Sequence, residues 1–282
     1  MSTLAASPRL RLIDLRWHLN GPSGADLYAR GHLDGAVFVD LEAALTAPVG
    51  PGRHPIASRA QFERAMRAAG VSNDTTVVVY DDAGGSVASR LWWLLRYYGH
   101  TEVAVLDGGL ARYEALGGAL STRATAPEPG SFVAKPGAMP VVSALTVEAR
   151  AAEPEGALLL DARAPERYRG EVEPVDARAG HIPSARNAFW QWHLDGAVFR
   201  SREALAAHFA ALGVTPSREV IAYCGSGVTA SQLILALTYA MPSLTVSLYE
   251  GSWSDWCRDP SRPIATGEAP GQLWPSSPSP RC

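Results

Sequence analysis

The sequence predicts an α/β protein built from two successive copies of one domain, each a parallel β-sheet flanked by α-helices on both faces. Two observations predict it. Short, nearly continuous apolar runs rich in β-branched residues, such as TVVVY (76–80), VAVL (103–106), EVIAY (219–223) and TVSLY (245–249), alternate with runs of helical period, RAQFERAMRAAG (59–70) and REALAAHFAALG (202–213). Strands that are apolar throughout and separated by helices suit a parallel sheet covered on both sides. The second observation is that the same order of signals occurs twice.

The first half runs LRLIDLR (10–16), GHLDGAVFVDL (31–41), TVVVYDDAGGSVASRLWWLL (76–95) and VAVLDGGLARYEALGG (103–118). The second runs ALLLDAR (157–163), AGHIPSARNAFW (179–190), EVIAYCGSGVTASQLILAL (219–237) and VSLYEGSWSDWC (246–257). Asp14 to His32 spans 18 residues and Asp161 to His181 spans 20; Ala88 to Asp107 spans 19 and Ala230 to Glu250 spans 20. Each RAQFERAMRAAG-type helix ends at a glycine, Gly70 or Gly213, as a left-handed cap requires. This places a first domain at 8–120, a Pro/Gly/Ala-rich linker at 121–141, a second domain at 142–266 and a loosely attached tail at 267–282, in which Trp274 is a candidate for local docking.

Composition bounds the function. The 282 residues are 47% hydrophobic and 19% charged with a net charge of −3, ordinary for a globular protein and without the basic field that recruits nucleic acid or an acidic membrane. The longest apolar stretch, LILALTYAM (233–241), falls far short of the ~20 residues of a membrane span. The opening run MSTLAASPRLRLIDLR has no signal-peptide core. Cys224, Cys257 and Cys282 are too few and too scattered for a disulfide framework or a zinc site. A reducing, cytoplasmic setting is the expectation.

The informative stretch is YCGSGVTASQ (223–232), a thiol at a strand-to-helix turn made of small residues. At the carboxyl end of a parallel strand, successive loop N–H groups form an anion-binding nest, and the following helix adds positive potential at the same point. Both favour thiolate over thiol. Gly225 and Gly227 let the backbone curl around the sulfur, while Ser226 and Thr229 offer hydroxyl donors. By the repeat, Cys224 corresponds to Asp81 or Asp82 of the first half. A Cys-x5-Arg phosphatase loop is excluded, because Ala230, Ser231 and Gln232 stand where the arginine is needed. Sulfur transfer is the other chemistry that such a cradle serves.

CGSGVTA, with GHIPSA upstream, EGSWSDW downstream, and DDAGGSVASRLWW and LDGGL in the first half, resembles the tandem-rhodanese sulfurtransferases over residues ~8 to ~265. The resemblance implies two rhodanese-like domains, the first catalytically silent, with the active site between them. Thiosulfate-preferring members carry Cys-Arg-Lys-Gly-Val-Thr; the uncharged Cys-Gly-Ser-Gly-Val-Thr form is similar to that of the 3-mercaptopyruvate sulfurtransferases. An uncharged loop suits a monoanionic donor held by its carboxylate elsewhere, and Ser226 can relay the proton that a carbon leaving group needs.

The resemblance further implies Cys224 as nucleophile, with Gly225, Gly227, Val228 and Thr229 around it. Arg167 in DARAPERYRGE stands at the first substrate-arginine position, and Arg178, in the shortened EVEPVDARAGHIP, is the candidate for the second. His54 in GRHP matches a histidine sent into the cleft, with Asp40 or Glu42 as its acid, Glu42 occupying what looks like an aspartate position in relatives. The plainer readings are a salt bridge for Arg167 and a solvent-exposed loop position for His54. Asp14, Arg16, Asp161 and Arg163 are expected to pair locally. His32 and His181 recur in both halves and read as structural; Trp92, Trp93, Trp253 and Trp256 read as core, and Cys257 as an inert packed thiol. No metal and no organic cofactor is implied. The expected partners are a small-molecule sulfur donor and a thiol acceptor, such as a small thiol or a thioredoxin-like protein, or cyanide. Thiosulfate as preferred donor, or a persulfide carrier acting with a partner protein, are the alternatives.

Overall fold

The computed structural model describes residues 9–153 and 156–271; Trp274 and Cys282 of the expected tail lie outside the described residues. In the first half β1 (Leu10–Asp14), β2 (Val37–Phe38), β3 (Thr76–Tyr80) and β4 (Val103–Val105) form a parallel sheet of order β2-β1-β3-β4. In the second, β5 (Val141–Val142), β6 (Leu158–Asp161), β7 (Arg186–Asn187), β8 (Val220–Tyr223) and β9 (Val246–Tyr249) are parallel in the order β5-β9-β8-β6-β7. Matching β1 with β6, β2 with β7, β3 with β8 and β4 with β9 superposes the two orders, so the repeat read in the sequence is a repeat of topology. Only β5 is extra, at one edge.

The helices begin and end where local chemistry dictates. α1 (Gly24–Arg30) and α2 (Leu41–Leu45) are short. α3 (Arg59–Ala68) and α8 (Arg202–Ala211) start at Ser58 and Ser201, whose hydroxyls accept from the amides of Gln61 and Ala204, each occupying one of the free donors of a first turn. Just beyond them, Gly70 and Gly213 take φ of 75° and 81°, the left-handed conformation expected of those glycines. α4 (Ala88–Tyr97) and α9 (Val228–Ala240) follow β3 and β8, the central strand pair of the repeat, and pack on one another across the two halves. α5 (Gly109–Ala115), α6 (Ala144–Ala152), α7 (Pro165–Tyr168) and α10 (Ser252–Trp256) complete the layers.

Twin polar contacts brace the two copies. Arg16 and Arg163 chelate Asp14 and Asp161 and reach the carbonyls of Gly31 and Gly180, both at 2.7 Å. His32 stacks on Tyr28 and His181 on Tyr168, both with ring centroids 3.7 Å apart. All four charged residues and both histidines are buried and brace the frame, with Arg163 also lining the cleft that holds Cys224. Trp92, Trp93, Trp253 and Trp256 are core, as their sequence context indicates.

The segment read as an unpatterned linker is tied down. Leu120–Ser121 pairs with His32–Leu33. Gly130, Phe132, Lys135 and Ala138 donate backbone hydrogen bonds to the carbonyls of Arg67, Val71, Tyr98 and Tyr97, and Phe132 is fully buried. Two apolar anchors, Phe132 and Ala134, suffice to dock a stretch whose prolines and glycines erase any periodicity. No helix among the described residues is long and apolar enough to cross a membrane.

Candidate active site

β8 ends at Tyr223 and α9 begins at Val228, so the chain must turn within four residues. Gly227 makes the turn at φ 84°, and a Cβ there would lie 2.9 Å from the carbonyl oxygen of Glu250; no larger residue fits. The turn aims the Gly227 amide at Cys224, whose Sγ accepts it at 3.1 Å. The Cys224 amide donates to Ser252 Oγ at 3.2 Å, and the Cys224 and Gly225 carbonyls accept from the amides of Trp253 and Ser254. Ser252, itself at φ 53°, and α10 thus clamp the loop from the side. Cys224 is 2% exposed, at the floor of a cleft of about 520 Å³ lined by both halves.

Beside the sulfur runs a chain of three polar groups. Ser226 Oγ lies 2.7 Å from His54 Nδ1, and His54 Nε2 lies 2.9 Å from Glu42 Oε1. With Nε2–H donating to the carboxylate, Nδ1 is free to accept the serine proton. Burial pushes His54 below its usual value while the hydrogen bond to Glu42 opposes that, so the neutral ring is favoured. The edge of Trp17 packs against this ring at 5.3 Å. Asp40 is occupied otherwise: its carboxylate caps α2 by accepting from the Ala43 amide at 2.8 Å.

Two guanidinium groups close the other wall. Arg167 Nη2 pairs with Glu173 at 2.6 Å and reaches Asp176 at 3.4 Å. Arg53, which the sequence reading passed over although it adjoins His54, pairs with the same Asp176 from the opposite half. Both heads converge on the cysteine loop: a Cβ at Gly225 would lie 3.0 Å from Arg53 Nη2 and 3.5 Å from Arg167 Nη1. The Nε–H of each is buried without a partner among the described residues.

The cleft therefore gathers Cys224, Gly225, Ser226, Val228, Thr229, His54 and Arg167, with Glu42 behind His54 and Gly227 beneath the sulfur. Arg178 is not among them, contrary to the expectation that it supplies a second substrate contact. Its guanidinium is spent on the carbonyls of Asp259 and Arg262, at 3.0 to 3.3 Å. The shortened EVEPVDAR segment brings Asp176, not an arginine, to the cleft. Cys257 is 3% exposed and its thiol is pushed up by burial, which leaves it a poor nucleophile.

A cysteine held by a helix-start amide between two α/β repeats defines a class, and comparison places the chain in it. Residues 2–116 and 143–259 match the rhodanese-like domain, and the chain belongs to the rhodanese family. It is 45% identical over 271 residues to the "Probable 3-mercaptopyruvate sulfurtransferase" of Pseudomonas aeruginosa, covering 93% of this chain and 94% of that one. It is 34% identical to the thiosulfate sulfurtransferase of Rattus norvegicus, with 89% and 86% coverage. The crystal structure of SseA from Escherichia coli superposes with a TM-score of 0.79 at 34% identity, covering 89% of this chain and 95% of that one.

Proposed function

We propose that this protein is a sulfurtransferase that takes a sulfane sulfur from 3-mercaptopyruvate as a Cys224 persulfide and passes it to a thiol acceptor or cyanide, in a reducing, cytoplasmic setting. The observation that carries the reading is the Ser226–His54–Glu42 chain beside an amide-held cysteine in a loop with no charged side chain. Its relatives bear the names of both donors; the geometry favours the donor whose leaving group needs a proton.

The steps balance. The Cys224 proton passes through Ser226 to His54, and the thiolate attacks the sulfur of 3-mercaptopyruvate. The S–S bond forms as the S–C bond breaks, and the electron pair leaves on carbon as the enolate of pyruvate. The proton held by His54 returns through Ser226 to that carbon. Arg53 and Arg167 hold the carboxylate, their forks suited to two-point pairing. An acceptor thiolate then takes the outer sulfur and regenerates Cys224. Thiosulfate would expel sulfite, which needs no proton, and its second negative charge would meet arginines already matched by Glu173 and Asp176.

A side-by-side assay tests this. Wild type should show the higher kcat/KM with 3-mercaptopyruvate, and intact mass should rise by about 32 Da after donor treatment, as covalent catalysis requires. Cys224→Ser should gain no mass and transfer no sulfur. A higher kcat/KM with thiosulfate would reverse the donor assignment, and a Cys224→Ser variant that still turns over would remove the nucleophile.

A further inference from the structure

α4 carries Arg90 in its first turn, within a run of apolar residues (ASRLWWLLRY) that is buried over most of its length. Arg90 is 1% exposed and makes no ion pair with a carboxylate among the described residues. A buried cation in that condition is costly unless something answers its charge. What it touches is informative. Nη2 donates to the carbonyl of His54 at 2.9 Å and Nη1 to the carbonyl of Gly227 at 3.3 Å. One side chain of the first half thus grips both the residue that carries the proton relay and the residue whose amide reaches Cys224 Sγ.

We propose that Arg90 is the counter-charge of the Cys224 thiolate and persulfide, a positioning residue contributed by the half that has no nucleophile. The proposal rests on the reading of Cys224 as the sulfur-carrying nucleophile. Arg90 does not touch the sulfur; it acts through the Gly227 peptide and through its field in a dry interface, where the effective dielectric is low. Burial lowers its own value to about 10, with Glu250, Cys224 and Tyr98 as the groups whose negative forms oppose that. Of these, only the sulfur becomes charged in the course of the reaction. The remaining charged or titratable groups around the loop and its cleft are His54 with Glu42 behind it, Arg53 and Arg167 with Asp176 and Glu173, Arg163 with Asp161 and Glu173, His18 with Asp82, and Glu250 at the end of β9. The arginines of the cleft have acid partners. Arg90 makes no direct ion pair among the described residues; its charge acts through space on Glu250 and on the thiolate.

The test needs no sulfur donor. The rate of iodoacetamide alkylation at Cys224, resolved from Cys257 and Cys282 by peptide mass spectrometry, is followed between about pH 5 and 9 in full-length protein. In Arg90→Met the profile should move to higher pH by about one unit, the size expected when a nearby opposite charge is removed. Arg90→Lys keeps the charge without the two-point grip and should lie between Met and wild type. Glu250→Gln removes a negative charge that works against Arg90 and should move the profile to lower pH. A folded Arg90→Met with the wild-type profile, even with impaired turnover, would make Arg90 a mere brace and overturn the proposal. If Arg90→Met does not fold, Glu250→Gln decides, an unmoved or raised profile overturning it. Normal alkylation behaviour with no sulfur uptake from either donor would sink the sulfurtransferase reading and overturn the persulfide part of this proposal, leaving Arg90 as counter-charge of the thiolate alone.

Discussion

At the scale of single residues, the site turns on which form of His54 is present. In the proposed relay the neutral imidazole takes the Ser226 proton, and burial holds His54 below its ordinary value. The donor half-reaction with 3-mercaptopyruvate should therefore persist to lower pH than an exposed histidine would permit, and fall as pH drops through the His54 value. Glu42 acts in the opposite sense, since its carboxylate stabilises the imidazolium. Glu42→Gln should move the acid limb of kcat to still lower pH while lowering the plateau, roughly tenfold or more, because the protonated intermediate loses its partner. Thiosulfate, measured in parallel, should show neither change. An acid limb that moved upward, or equal effects on both donors, would detach Glu42 from the relay.

How much of this was legible depends on how local the signal is. Cys224, Ser226 and Thr229 lie within one heptapeptide, and the meaning of the glycines around them follows from backbone sterics alone. His54 and Glu42 came by resemblance, and what the structure adds is that Glu42 reaches His54 while Asp40 caps α2. Arg53 stood in the same GRHP motif and was missed, because its role depends on Asp176, 123 residues away in the chain. Arg178 was misplaced for the converse reason: nothing in EVEPVDAR shows that carbonyls of residues 259 and 262 will consume its guanidinium. Gly225 also reads differently in three dimensions. Arginine at that position, as in thiosulfate-type loops, would bring a third guanidinium against the heads of Arg53 and Arg167 and require them to shift.

At the scale of the element, the two strand-to-helix loops are one device used twice. Tyr80 of β3 and Tyr223 of β8 each accept an amide at matched places, Leu33 and Ile182, which fixes Asp81 as the counterpart of Cys224. The sequence left Asp81 and Asp82 open because the span from Asp81 to Ala88 is one residue longer than the span from Cys224 to Ala230 that it matches. In the first half the nest is filled from within: Asp81 accepts from the amides of Ala83, Gly85, Val87 and Ala88 at 2.8 to 2.9 Å. Burial pushes that carboxyl up and the four donors pull it down. The first half thus shows what the cradle is shaped to hold, an anion, with a fixed carboxylate where the other half has sulfur. Asp81→Ala would leave four buried donors without acceptors and should cost on the order of 3–5 kcal/mol in urea denaturation. Asp81→Asn, with one acceptor oxygen in place of two, should fall between. A loss below about 1 kcal/mol for the alanine variant would mean that water serves the loop as well as the carboxylate does.

At the scale of the whole molecule, the halves are two in topology and one in packing. The repeat was plain in the sequence because alternation and spacing are local properties; the joint between the copies was not, because α4 and α9 read alike as apolar helices with no indication of their neighbour. In the structure Leu91, Leu94 and Leu95 of α4 and Leu233, Ile234 and Leu237 of α9 belong to one continuous buried cluster. Across the same joint run the contacts of chemistry: Arg90 to Gly227, His54 to Ser226 and Arg53 to Asp176. The covalent connection contributes little to this, since residues 130–138 hold to the first half and Gly137 is exposed at φ 101° with open space around it. It follows that the chain can be cut there without being parted. A specific protease site placed after Gly137 and cleaved in the folded protein should yield two fragments that elute together, unfold in a single transition and keep most of the sulfur-transfer rate. Separating them in denaturant should abolish transfer in the fragment that holds Cys224, because Glu42, Arg53, His54 and Arg90 depart with the other. Mixing and refolding should restore it, with a dependence on concentration that the intact chain lacks. Fragments that drift apart under native conditions, or a C-terminal fragment that transfers sulfur unaided at the intact rate, would show that the first half is an appendage and that the site is complete in the second.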